Sequence, residues 1–373
     1  LREVSIGQST ICEIFGEEGR LVYRGYDVKD LAANATFAEV AYLLWNERLP
    51  TRPELDELRA RLLLYGSLPP EVVKLMKNSI PPSATPMEVL RTTVSALGHW
   101  DEDSGNTAQD AVKRKAVRLT ARIAGIVAGI YRLKQKQQPL EPRDDLDLAG
   151  NFLYMMTGKI PDPDAIRAMD VALILHAEHG MNASTFAARV TAATMSDMYS
   201  SVTSAIGALK GPLHGGANQE VMNLLVEIGS VEKADAFVRD ALARKVKIPG
   251  FGHAVYRAED PRATVLRDYA RRLGEKFDQP KWFQLSQAVY ATMRAIMQEK
   301  GKPVYPNVDF YSASLYHVMG IPAEYFTPIF ALSRITGWTA HIMEQWKHNK
   351  LIRPAVTYVG PMGLSYVPIE QRG

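Results

Sequence analysis

A single cysteine, Cys12, stands in a chain of 373 residues. An intramolecular disulfide and a CxxC zinc site are both excluded, and a reducing compartment, with the cytoplasm as default, is the expectation. Charge of one sign is also scarce: 44 Lys and Arg oppose 41 Asp and Glu for a net of +3, too little for a nucleic-acid footprint or a basic membrane face. Long apolar runs are missing too. The longest stretch free of charged side chains, residues 354–369, is broken by Pro354, Pro361 and Pro368 and falls short of the roughly 20 apolar residues of a membrane helix. Neither nucleic acid nor a membrane is an expected partner. No GxGxxG, no Walker P-loop and no GxSxG occurs, which removes the sequence signals for a dinucleotide, a nucleotide phosphate and a serine nucleophile. No fixed-period repeat is present, so a solenoid is not expected.

What is present reads as a mostly α protein, 46% hydrophobic and 23% charged. Ile11, Phe15 and Leu21 to Tyr23 flank Gly16-Glu17-Glu18-Gly19 and predict a small N-terminal hairpin. Thr36 with Glu39, Thr51 with Glu54, and Thr85 with Glu88 are Thr-x-x-Glu capping boxes, the last two with a proline in the first turn. Asp162-Pro163 and Asp260-Pro261 mark two further helix starts. Residues 107–134 predict a long helix whose Ala124, Gly125, Ala128 and Gly129 admit a close neighbour, and core packing is the simpler use of that face than a subunit interface. Residues 101–106 and 135–147 read as polar linkers.

Of eight histidines, His99, His317, His341 and His348 sit in helical patterns and read as packed or solvated. His176 and His179 are three apart, a spacing that puts both on one helix face near its end. A zinc site would need a third ligand or HExxH spacing, and neither is visible, so no metal is expected. Two others differ. His214 lies in Gly211-Pro-Leu-His-Gly-Gly-Ala-Asn218 and His253 in Ile248-Pro-Gly-Phe-Gly-His253, both framed by glycines that let a ligand approach the backbone. A histidine so placed can aim a ring N–H at a carbonyl oxygen. Asp309 follows a proline turn and on its own reads as a helix N-cap. Arg334 and Arg353 stand in apolar settings, suited to gripping carboxylates. Together these residues point to acid–base chemistry on a polycarboxylate, with no nucleophile in evidence.

The segments GPLHGGANQEV (211–221), IPGFGHAVYRAEDPR (248–262), NVDFYSASLYHVMGIP (307–322) and FTPIFALSRITGWTAHIMEQ (326–345), in that order, closely resemble the citrate synthase family. The resemblance covers essentially the whole chain. It implies a helical homodimer with a large domain of residues 1–215 plus 321–373, a small domain of residues 216–320, and substrates in the cleft between them. The implied reaction condenses oxaloacetate with acetyl-CoA and hydrolyses citryl-CoA, without a cofactor. By the matching motifs, His214 would hydrogen-bond the thioester oxygen, Asp309 would take the methyl proton and His253 would protonate the oxaloacetate carbonyl. His179, Arg262 and Arg334 match oxaloacetate ligands, although His179 to Asn182 is one residue shorter than the usual histidine-to-asparagine spacing. Arg353 matches an arginine donated by the partner subunit. Gly250, Gly252 and Arg257 match a coenzyme A contact region, and Lys302 matches more loosely. The nearest rival is 2-methylcitrate synthase, which uses propionyl-CoA; a non-catalytic helical scaffold is the alternative of another class.

Overall fold

The computed structural model describes residue 5 and residues 7–372. Its only sheet among these residues is the expected hairpin plus one more strand. β1 (Cys12–Phe15) pairs antiparallel with β2 (Arg20–Tyr23), and β3 (Tyr26–Asp27) adds to the other side of β2. The third strand was not legible in the sequence. It forms because Arg24 and Gly25 take φ of 48° and 90°, the two left-handed residues of a tight hairpin turn.

Helices follow in the order α1 (Val28–Asn34), α2 (Phe37–Asn46), α3 (Arg52–Gly66), α4 (Pro70–Asn78) and α5 (Pro86–Leu97). The three capping boxes start α2, α3 and α5. In each, the glutamate carboxylate accepts the threonine backbone N–H at 2.8 Å. α6 (Gln109–Lys134) is the long helix. Its glycine face is used within the chain, since a Cβ on Gly125 would come 2.6 Å from the Gly66 carbonyl oxygen. The 101–106 stretch is not a loose linker. Arg118 binds Asp101 and Asp103 at 2.7 Å each, and the buried Lys115 ammonium donates to the Ser104 and Asn106 carbonyls at 3.0 and 2.6 Å. The Asp101 and Asp103 carboxylates of this stretch are consumed against α6.

α7 (Leu148–Thr157), α8 (Pro163–His176), α9 (Ala183–Ala193) and α10 (Met198–Leu209) complete the first group. α11 (Ala217–Ile228), α12 (Ala234–Ala243), α13 (Pro261–Lys276), α14 (Pro280–Glu299) and α15 (Val308–Val318) pack largely on one another, with α11 and α13 both against α15. α16 (Phe326–Lys347) then returns to α2, α6, α8, α9 and α10. It is buried on nearly every side from Phe326 to Ile342, the place of a central helix, and its enclosed polar side chains such as Arg334 and His341 are hydrogen-bonded. Beyond it the chain runs extended and exposed, with Val356 and Val359 more than nine-tenths accessible. No helix among the described residues is long and apolar enough to cross a membrane.

Candidate active site

His214 sits in the turn between α10 and α11. The turn closes when Gly215 N–H donates to the Leu209 carbonyl at 3.0 Å, and Thr327 Oγ1 at the start of α16 donates to the Gly215 carbonyl at 2.9 Å. Gly215 lies so close to Leu209 that a Cβ would overlap it. Behind the imidazole stands Ser184, in the first turn of α9. Its backbone N–H is an orphan of the helix start and points at His214 Nε2 at 3.2 Å, with Ser184 Oγ 2.8 Å from the same nitrogen. Trp338 of α16 donates to that hydroxyl at 3.1 Å. An amide N–H can only donate, so Nε2 is an acceptor and the proton is on Nδ1. Burial, reinforced by Arg334, holds the imidazole pKa down at about 4, and the ring is neutral at pH 7.

His253 is oriented differently. Gly250 and Gly252 adopt φ of +82° and +78°. A Cβ on Gly250 would also lie 2.7 Å from Val221 and 2.8 Å from Phe310, so both the turn and the packing require glycine. The loop is tied to the turn before α15: Gly252 N–H donates to the Tyr305 carbonyl at 3.0 Å, and Asn307 donates from its backbone N–H to Gly250 O at 2.9 Å and from Nδ2 to Gly252 O at 3.1 Å. His253 Nδ1 accepts the backbone N–H groups of Val255 and Tyr256 at 3.0 and 3.1 Å, which leaves the proton on Nε2. Burial first, then Arg262, lowers its pKa to about 4. On the other face the N-terminal hairpin supports this loop. Arg257 N–H donates to Gly16 O at 2.9 Å, and a Cβ on Gly16 would come 2.5 Å from Val255 O.

Asp309 is not the N-cap of α15. That role belongs to Asn307, whose side chain accepts the Asp309 N–H at 3.1 Å, so the Asp309 carboxylate is free of capping duty. Burial raises its pKa to about 6, against the pull of Arg262. Arg262, in the first turn of α13, is buried and paired with Asp260 at 2.8 Å. Arg334 is buried in α16 and makes no ion pair with the described residues; its Nε donates to the His176 carbonyl at 2.7 Å and its guanidinium carbon lies 4.7 Å from the centre of the Phe330 ring. A buried cation without a carboxylate is costly unless an anion arrives to pair with it.

His176 and His179 do not share a helix face. α8 ends at His176, whose Nδ1–H donates to the Ala172 carbonyl at 2.8 Å, and the chain then turns away. The turn is held by Tyr23 of β2, whose hydroxyl donates to the Glu178 carbonyl at 2.8 Å. This carries His179 to His253, with ring centres 5.0 Å apart, and brings its Nε2 3.2 Å from the Tyr256 hydroxyl. Burial, then Arg262 and His253, keeps His179 neutral.

A cleft of about 360 Å³ opens beside this group, lined by Gly252, His253, Tyr256, Arg257, Asp260 and Asn307 among others. Lys302 is exposed in the loop after α14 and does not line it, although the adjacent Pro303 does. Arg353 lies on the exposed C-terminal segment, apart from the cleft-lining residues. Among the described residues no group of three His, Cys, Asp or Glu side chains is disposed to hold a metal. His341 is packed, as expected, between Glu178 at 3.0 Å and Arg189 at 3.1 Å. The sequence reading missed Ser184 and Tyr256, which touch the site histidines from behind. Ser184 lies in no pattern that marks it, and Tyr256, although within the 248–262 segment, carries no local sign of its hydroxyl's role, because the partners are 30 and 77 residues away.

The family profile "Citrate synthase, C-terminal domain" matches residues 1–355. The chain belongs to the citrate synthase family. It is 48% identical to "Citrate synthase 2" of Bacillus subtilis over 352 residues, 94% of this chain and 93% of the relative. It is 42% identical to the 2-methylcitrate synthase of Shewanella oneidensis over 373 residues, 100% of this chain and 97% of that one. Among solved structures, the citrate synthase of the archaeon Thermoplasma acidophilum, a ternary complex with carboxymethyl coenzyme A and oxaloacetate, superposes with a TM-score of 0.92 at 32% identity, covering 99% of this chain and 98% of that one. Citrate synthases are acyltransferases, and their mostly helical architecture is the one seen here.

Proposed function

We propose that this chain condenses oxaloacetate with acetyl-CoA and hydrolyses the citryl-CoA formed. One observation carries the reading: His214 and His253 each have the proton fixed on the nitrogen turned away from a donor behind it, and Asp309, whose pKa burial raises to about 6, shares Arg334 with the first and Arg262 with the second as a charged neighbour. The Asp309 carboxylate takes a proton from the acetyl methyl group. Such a carbon acid is too weak for a carboxylate unless the enol oxygen is stabilised as it forms, and His214 Nδ1–H donates to that oxygen. The enol carbon attacks the keto carbon of oxaloacetate, and His253 Nε2–H passes its proton to the carbonyl oxygen as the new C–C bond forms. Water then cleaves the thioester. Arg262, Arg334 and His179 hold the oxaloacetate carboxylates, converting an encounter into a positioned one.

Coenzyme A is assigned to the 250–252 turn, Arg257 and, at the edge of the cleft, Lys302. No metal or other cofactor enters the scheme. The large domain is assigned to residues 1–215 and 321–373 and the small one to 216–320, supported by the packing of α11 to α15 on one another and the return of α16. A homodimer completes the site with Arg353 of the second copy. Supporting this, Arg353 lies on a segment whose Leu351, Val356, Tyr358, Val359, Met362 and Leu364 are all more than 60% exposed, more apolar surface than a lone chain leaves to water. The cytoplasm is the compartment assigned.

Relatives of both acyl preferences match at similar identity. The substrates differ by one methylene, worth about 1–3 kcal/mol or roughly 10–200-fold in discrimination. Comparing kcat/KM for acetyl-CoA and propionyl-CoA with oxaloacetate tests the proposal: acetyl-CoA is expected to lead by at least about tenfold, and a lead for propionyl-CoA overturns it in favour of 2-methylcitrate synthesis.

A further inference from the structure

We propose that Tyr256 is a positioning residue that fixes the tautomer of His179, so that His179 presents its Nδ1–H to oxaloacetate. The inference rests on the substrate assignment above. Tyr256 is 5% exposed, and its hydroxyl has one hydrogen-bond partner among the described residues, His179 Nε2 at 3.2 Å. A neutral imidazole carries one N–H, so two arrangements compete. In the first, the phenol donates to Nε2 and the ring proton is on Nδ1. In the second, Nε2–H donates to the phenol oxygen and the phenol hydrogen is left without an acceptor. Each arrangement leaves one donor without a partner in the chain, Nδ1–H in the first and the phenol hydrogen in the second, but only the first turns that donor, rather than an Nδ1 lone pair, toward the acceptor oxygens of oxaloacetate, which selects it in the complex. Burial raises the Tyr256 pKa, so the phenol keeps the proton it must donate. His179 Nδ1 has no hydrogen-bond partner among the described residues and is left for a ligand.

The same device serves the other two site histidines. A backbone N–H of Ser184 makes His214 an Nδ1–H donor, and the N–H groups of Val255 and Tyr256 make His253 an Nε2–H donor. Tyr256 therefore acts twice, by its backbone on His253 and by its hydroxyl on His179. Oxaloacetate offers only acceptor oxygens to these rings. Three neutral donors beside Arg262 and Arg334 match it, and an Nδ1 lone pair in their midst would not.

Tyr256→Phe removes the hydroxyl and keeps the ring that stacks on His253 at 4.6 Å. In protein labelled with 15N-histidine and held with oxaloacetate alone, with the His179 signals identified by their loss in His179→Gln, the wild type is expected to show a protonated Nδ1 and a bare Nε2 at His179. The Tyr256→Phe variant is expected to lose that pattern, with the oxaloacetate KM rising about tenfold, the scale of one hydrogen bond to a charged group, and kcat changing less than about twofold. A proton on Nε2 in the wild type overturns the proposal, as does a variant with unchanged nitrogen signals or unchanged oxaloacetate KM. The nitrogen signals are read without turnover, so a failure of the substrate assignment shows separately, as a wild type that forms no citrate.

Discussion

In sequence the two glycine-framed histidine loops look like copies of one device, yet the fold holds them by different means. His214 is backed by the first turn of α9 and by α16, through Ser184, Trp338 and Thr327. His253 is backed by its own loop amides, by the 305–307 turn and by the N-terminal hairpin. The first is anchored to packed helices. The second is registered between segments of α11–α15 and a hairpin more than two hundred residues earlier in the chain. The contrast teaches that a motif which fixes φ angles does not fix the ring: the tautomer depends on what lies behind it.

The sharpest way to test whether the two loops serve one centre is to remove the Asp309 carboxylate. Asp309→Asn is expected to lower citrate formation by about 10²–10⁴-fold, the range for a positioned general base. It should also stabilise the fold. The folded-state pKa of about 6 lies above the reference of 3.8, so the ionised carboxylate disfavours folding. That penalty is absent below about pH 4, grows through pH 6 and reaches on the order of 2–3 kcal/mol at neutral pH. Urea midpoints at pH 8 should therefore be higher for the variant, with the difference gone near pH 4; a destabilised variant at pH 8 would contradict the burial argument. In the wild type, kcat/KM for acetyl-CoA should fall about tenfold per unit as pH drops below 6, because the base must be ionised. The two imidazoles, with pKa values near 4, contribute only below that. A limb centred near 4 would assign the titration to the histidines instead.

Two milder substitutions separate the loops. Ser184→Ala keeps the backbone donor but removes the hydroxyl between Trp338 and His214, and is expected to lower kcat about tenfold with little change in oxaloacetate KM. Gly16→Ala pushes a methyl group at the Val255 carbonyl and should raise the oxaloacetate KM a few-fold, on the order of 1 kcal/mol, through the His253 loop alone. If both changes moved the same parameter equally, the two loops would not be independently held.

Much of this was legible early. Threonine and glutamate three apart mark helix starts because each satisfies the other's orphan backbone group, a requirement complete within four residues, and all three boxes formed as read. The glycine frames were legible for the same reason, since φ is a local property. The errors lie where a local pattern met a distant partner. His176 and His179 were spaced for one helix face, but Tyr23 fastens the Glu178 carbonyl and ends the helix between them. Asp309 is the exception: it looked like a cap, and a residue only two positions earlier, Asn307, took that role. The 101–106 stretch read as a polar linker until α6 brought Arg118 against Asp101 and Asp103.

The sequence by itself determined the helical class, the helix starts and the two histidine turns, because capping, periodicity and backbone freedom are settled by neighbours in the chain. Its ordered motifs also carried the family. Only the tertiary structure decided which nitrogen of each histidine bears the proton, which arginine lies buried without a carboxylate, and how far Asp309 departs from an ordinary acid. Apart from His253, whose donors come from its own loop, those properties are set by desolvation and by groups that folding brings together, such as the Ser184 N–H at His214 and the Tyr256 hydroxyl at His179, and no local pattern encodes the distance between residues that meet only when the chain has folded.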